Sequence, residues 1–364
     1  MKSKKFYLGL IFYFVMTTTL NSQNIIPEWK EPKGLVLVYP KDLRSSLTTC
    51  YKELIKSVLA STKLSELTLI VRPTAKKEIE TFCLSLNTQT KIRFFETDKV
   101  QDIWARDFCP IYFSNQTVCK ALYNPSYFNK NQISKYADPD EQTGIELANF
   151  LNLKVKYFLQ SGKDNLILDG GNFIHNGQGI AIVTNRVIAD NETLSIDYIR
   201  EIFKTQLNIS DLILVPVEPG DETGHIDGMV RFINETTVMV SSYPSDYTNE
   251  TKNISEEDYK ISKQFLDKIA DTLKSKKLSV IRIENSIPIK DTKERIPSAF
   301  GNYINFLRIG STIFLPQYNI IQDNKAIELF KTKFPELTII KVTTDIKKLS
   351  KFGGVLNCIS WTYY

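Results

Sequence analysis

One plan recurs five times along this chain, and it restricts the fold more than any other feature: a β-rich run, an amphipathic helical stretch, a second β-rich run and a short polar cluster. In the first copy, Leu67–Val71 leads through a helical stretch (Thr74–Leu86) to Lys91–Phe95 and then to Asp102-Ile-Trp-Ala-Arg-Asp107. The second runs from Gln116–Leu122 through Asp140–Leu151 and Lys154–Phe158 to Leu168-Asp-Gly-Gly-Asn172. The third joins Gly179–Val183, Glu192–Lys204 and Leu212–Val215 to Gly220-Asp-Glu-Thr-Gly-His-Ile-Asp227. The fourth joins Thr237–Val240, Ser255–Ser275 and Ser279–Ile283 to Ser298–Asn305, and the fifth joins Ser311–Leu315, Lys325–Phe334 and Leu337–Lys341 to Gly353–Cys358. Short strands interleaved with helices read as an α/β protein. Measured between Asp107, Asn172, His225, Asn302 and Cys358, the clusters recur at 65, 53, 77 and 56 residues. Such a period argues for similar units around a common axis, with their polar clusters converging on one central site. A leading strand (Gly34–Tyr39) and helix (Leu43–Ala60) would complete the closure by packing with the last unit. No Pro-, Ser- or Gly-rich linker divides the chain, so residues 30–364 read as one domain.

Residues 1–22 depart from the plan. Met1-Lys-Ser-Lys-Lys5 is basic and Phe6–Val15 is uncharged and mostly apolar or aromatic, which is the form of a secretory signal peptide. The apolar run falls short of the roughly 20 residues that span a bilayer, so export with no membrane anchor after processing is the stronger reading. Loss of Lys2, Lys4 and Lys5 with the leader lowers the formal charge from +5 to +2, which leaves no global field for a nucleic-acid partner. The five cysteines, Cys50, Cys83, Cys109, Cys119 and Cys358, form no CxxC pair and lie near no histidine cluster. This argues against a zinc site or a disulfide framework.

The chain has two histidines. His225 lies in Thr223-Gly-His-Ile-Asp227, where extended period-two alternation places His225 and Asp227 on one face as an acid/base unit. His175 precedes an Asn-Gly hairpin signal and reads as a structural residue in a turn. A lone cysteine is more often a buried hydrophobe than a nucleophile, but Cys358 ends the fifth unit at the place where His225 ends the third. A thiol there becomes reactive as the thiolate, which a neighbouring cation favours. Trp104 can stack on a planar cation that the Asp107 carboxylate grips through its N–H groups. Arg106 beside Asp107 also reads as a plain ion pair. Asp169-Gly-Gly-Asn172 and Gly301-Asn302 supply small residues and amides where backbone must approach a ligand.

Together these segments resemble the agmatine deiminase and Porphyromonas-type peptidylarginine deiminase family of guanidino-modifying enzymes. The matching motifs are Trp104 to Asp107, Asp169 to Asn172, Thr223 to Asp227, Asn302 to Asn305 and Gly353 to Cys358. The resemblance implies a five-bladed α/β propeller of ββαβ units around a central site. It implies that Asp107 and Asp227 bind a guanidinium, that His225 transfers protons and that Cys358 attacks the central carbon. Trp104, Asn172, Asn302 and Gly354 would contact substrate, and no metal or organic cofactor is required. The substrate would be agmatine or a peptidyl arginine, with an amidinotransferase, an arginine deiminase and a degenerate guanidine-binding protein as rival readings. The sequence departs from the family at Asn357, where histidine is common.

Overall fold

A computed structural model describes residues 25–158, 165–246, 255–287 and 298–364; the leader expected over residues 1–22 lies outside them. The first sheet contains β1 (Gly34–Val38), β2 (Glu66–Val71) and β3 (Lys91–Glu96), all parallel. The second contains β4 (Ile111–Tyr112), β5 (Thr117–Lys120) and β6 (Lys154–Tyr157), and the third β7 (Ile174–His175), β8 (Ile180–Thr184) and β9 (Asp211–Val215). The fourth contains β10 (Val230–Phe232), β11 (Thr237–Ser242) and β12 (Ser279–Glu284), and the fifth β13 (Leu307–Ile309), β14 (Thr312–Pro316) and β15 (Thr338–Val342). In each of these four the first pair is an antiparallel hairpin, and a helical crossover returns the third strand parallel to the second. The last strand, β16 (Ser360–Tyr363), pairs antiparallel with β1, so the first sheet takes the same form only when the end of the chain joins it.

The fold class is therefore mixed α/β, and among the described residues the strands do not join into a closed barrel. β1 is buried along its whole length because both faces are covered. Val36 and Val38 share an apolar cluster with Tyr112 and Val118 of the second sheet. Leu35 and Leu37 instead share one with Ile313 and Phe314 of the fifth sheet and Met239 of the fourth. The second sheet packs on the third through Cys119, Ala181 and Val183, and the third on the fourth through Ile182, Val215, Val238 and Val240.

Caps move several helix boundaries from their expected places. The helix expected from Glu192 runs Ile196–Leu207, because the Ser195 side chain accepts the Tyr198 N–H and Asn208 ends it in a left-handed conformation. The helix expected from Lys325 begins at Ile321, because the Asp323 carboxylate accepts the N–H groups of Tyr318, Asn319 and Ile320. His175 lies in β7 itself, with Asn176-Gly177 turning after it, and burial pushes its imidazole down to about 4. Among the described residues no helix is long and apolar enough to cross a membrane.

Candidate active site

Four of the five polar clusters line one cavity of about 600 Å³. Cys358 enters it from the loop between the helix Ile346–Ser350 and β16. Its Sγ lies 3.2 Å from Asn305 Nδ2 and 3.7 Å from Asp227 Oδ2. Asn305 Oδ1 accepts the N–H groups of Val355 and Asn357, at 3.2 and 3.1 Å, so one buried amide ties the nucleophile loop to the fourth unit. Asn357, at the position where the family commonly carries histidine, donates from Nδ2 to Asp227 Oδ2 at 2.6 Å. It thereby fixes the carboxylate beside the thiol. Gly354 must be small: a Cβ there would sit 2.7 Å from the Trp104 ring and 3.0 Å from the Cys358 Cβ.

The same cavity is lined by a buried set of groups around His225. The extended backbone of His225 is followed by a tight 3-10 turn, Ile226–Gly228, which sends Ile226 into the core and Asp227 into the cavity. The alternation read from sequence thus breaks one residue after the histidine. The hydrogen-bond partner of the imidazole is Asp169, at 3.0 Å from Nε2, with Asp107 Oδ1 3.6 Å from Nδ1. The Tyr127 hydroxyl donates to the same Asp169 oxygen at 2.8 Å. Asp107 is held in turn by the Gly171 N–H at 3.0 Å. A Cβ on Gly171 would meet His225 Nδ1 at 2.6 Å and Asp107 Oδ1 at 2.7 Å, so Gly171→Ala must displace both side chains. We expect it to remain folded, at the roughly 1–3 kcal/mol cost of overpacking, while turnover falls about 100-fold because reacting groups misplaced by an ångström lose that much. Thermal melting and steady-state kinetics on one preparation check this.

The electrostatics follow from burial and crowding of acids. Burial, then Asp227 and Asp107, push the Cys358 thiol well above its ordinary range, which favours the protonated thiol over the thiolate. Burial also raises Asp107, which His225 opposes and Asp169 and Asp227 reinforce. Burial works against a charged His225, but Asp107 and Asp169 outweigh it and raise the imidazole. A proton donor therefore lines the same cavity as the sulfur. Among the described residues no group of three or more His, Cys, Asp or Glu is placed to hold a metal ion.

The structure brings Cys358, His225, Asp107, Asp227, Trp104, Asn302 and Gly354 to the cavity wall and leaves Asn172 outside it. Asn172 turns inward, where its Oδ1 accepts the Thr184 N–H at 2.9 Å and steadies β8. The Asn302 side chain is held by backbone: Nδ2 donates to the Gly228 carbonyl, and Oδ1 accepts from the Ile304 and Asn305 N–H groups. Sequence reasoning missed the parts played by Asp169 and Asn305, although both lie inside the quoted motifs. The second unit's cluster stands behind the wall and acts through Asp169.

The family model described as Porphyromonas-type peptidyl-arginine deiminase matches residues 24–363. The chain belongs to this family. Among its relatives, an agmatine deiminase of Pseudomonas savastanoi pv. phaseolicola is 25% identical over 216 residues, covering 53% of this chain and 56% of that one. The chain matches little more than half the length of the first curated relatives. Of solved structures, the C. jejuni agmatine deiminase superposes with a TM-score of 0.74 at 22% identity, covering 94% of this chain and 96% of the other. A variant of that enzyme with substrate bound superposes with a TM-score of 0.75 at 20% identity, over 94% and 96%. At these identities the structural likeness establishes the fold.

Proposed function

We propose that this protein hydrolyses the guanidine group of a small dication of the agmatine type, giving a ureido product and ammonia. The observation that carries the reading is the meeting, in one buried cavity, of the Cys358 thiol, two carboxylates and a proton-bearing imidazole. A guanidinium is a poor electrophile because its charge is delocalised, so Asp107 and Asp227 must hold it in attack geometry. Its positive charge beside Cys358 also lowers the thiol, so substrate creates its own nucleophile. The sulfur bonds to the central carbon, His225 protonates the departing nitrogen, and ammonia leaves an S-alkylthiouronium. Water, deprotonated by His225, adds to that carbon, and the C–S bond breaks to return the thiolate and the ureido product.

The choice of agmatine over arginine rests on charge. Glu218, Asp221 and Asp258 also line the cavity, and Arg44, on the same wall, is already bound to Asp102 through two hydrogen bonds of 3.0 and 2.8 Å. A substrate carboxylate would meet like charge, whereas a second ammonium would be held. Ammonia release measured with agmatine, free arginine and arginyl peptides tests the assignment, and turnover of arginine alone would refute it. Burial, against the Tyr243 hydrogen bond and helped by Asp221, pushes Glu218 up to about 7. A carboxylate must be ionised to hold an ammonium, so the KM for agmatine should fall as pH rises through about 7. Glu218→Gln should flatten that dependence and raise KM about tenfold, the loss of one charge-assisted hydrogen bond, with kcat little changed. Export belongs to the same reading and rests on the leader.

A further inference from the structure

Ile25–Glu31 runs as a strap past all five sheets, and none of its residues lines the cavity. Ile25 bridges Phe113 in the second sheet's hairpin. Pro27 covers Gly177 in the third sheet's turn and accepts a hydrogen bond from the Tyr364 hydroxyl, just beyond β16. Trp29 donates to Glu235 in the fourth sheet's turn, and the Glu31 carboxylate lies against Gly310 in the fifth. At the middle of the strap, Glu28 accepts a hydrogen bond from Arg231, one of the most deeply buried side chains in the molecule, and lies 3.8 Å from Arg106 Nη2.

Arg106 connects this pair to the active site. It precedes Asp107 on the short helix Ala105–Phe108, yet its side chain points away from that carboxylate. Its Nε donates to the Asn357 carbonyl at 3.5 Å and its backbone N–H to the Cys358 carbonyl at 3.1 Å. Both carbonyls flank the nucleophile. The two arginines hold the Glu28 carboxyl down at about 2 against its burial, so it stays ionised. Without that charge Arg106 and Arg231 would repel each other across a poorly solvated space, and Arg106 would leave its carbonyl.

We propose that Glu28 is a positioning residue for Cys358: from the strap it fixes Arg106, which fixes the Asn357–Cys358 backbone and so the thiol between Asp227 and Asn305. The proposal rests on Cys358 being the nucleophile. It is tested in the full chain with Glu28→Asp, Glu28→Gln, Arg106→Lys, Trp29→Phe and Cys358→Ala, by steady-state agmatine hydrolysis, alkylation of the thiol by iodoacetamide and thermal melting. Glu28→Asp keeps the charge next to Arg231 but retracts it from Arg106, so it should fold, lose about tenfold in kcat and keep KM within about twofold. Arg106→Lys should do the same, and Glu28→Gln should lose about 100-fold, with iodoacetamide labelling altered in parallel. Trp29→Phe loosens the strap without touching either arginine and should keep kcat within about twofold. Parental kcat in both Glu28 variants, with Cys358→Ala inactive, overturns the proposal and leaves the nucleophile standing. An equal loss in Trp29→Phe also overturns it, because the strap would then serve only the fold. Full activity in Cys358→Ala would sink the nucleophile and the proposal together.

Discussion

Cys358→Ala should abolish ammonia release from every guanidine that the parent hydrolyses, a loss of more than about 10⁴-fold, because no other route to the intermediate remains. The substitution removes one sulfur from a buried site and leaves Asp107, Asp227 and Trp104 where they are. Asn305 Nδ2 loses its sulfur partner but Oδ1 keeps its backbone donors, so the loop should hold its course at a cost of about 1 kcal/mol. Calorimetry should therefore still find agmatine binding to the inactive variant. Binding should be no tighter than in the parent, since a cation that lowers the thiol is by linkage held more strongly once the thiolate forms, and the variant lacks that gain. Turnover within tenfold of the parent would remove Cys358 from the mechanism.

The five units were legible because their central strands and crossover helices each run long enough to show a period. The hairpin strands β4 and β7 were not, since two residues carry none. The pairing of β16 with β1 joins residues more than 300 positions apart; the sequence set the leading strand against the last unit but did not show β16 as the strand that pairs with it. The same limit applied in the site. His225 and Asp227 were both visible, but the partner of the imidazole comes from Asp169, 56 residues away, and only the fold brings it there. Arg106 and Asp107 invited pairing as neighbours. Successive positions on a helix point about 100° apart, so one faces the cavity while the other faces the strap. Asn172 belonged to the right motif, but the turn at Gly170–Asn172 aims it at Thr184.

Asp227→Asn should move two measurements in opposite directions, and that is the sharpest test of how the site is charged. Asp227 Oδ2 accepts from Asn357 Nδ2 and is near the sulfur. An asparagine at this position must keep its oxygen toward Asn357, which turns its NH₂ toward the bound substrate. A guanidinium has only donors to offer, so the contact becomes repulsive rather than merely weaker, and turnover should fall about 10²–10³-fold. The thiol responds the other way. After burial, Asp227 is the foremost cause that keeps the Cys358 proton on, so removing its charge lowers the thiol and raises the thiolate fraction at a given pH. Iodoacetamide should then label substrate-free Asp227→Asn faster than the parent near neutral pH, even though the variant hydrolyses almost nothing. Asp107→Asn should behave alike, because the Gly171 N–H claims its remaining oxygen and turns the amide donor inward. If either variant lost turnover and labelling together, its carboxylate would be holding the loop in place rather than gripping the cation, and the site would depend on the substrate's charge far less than its geometry implies.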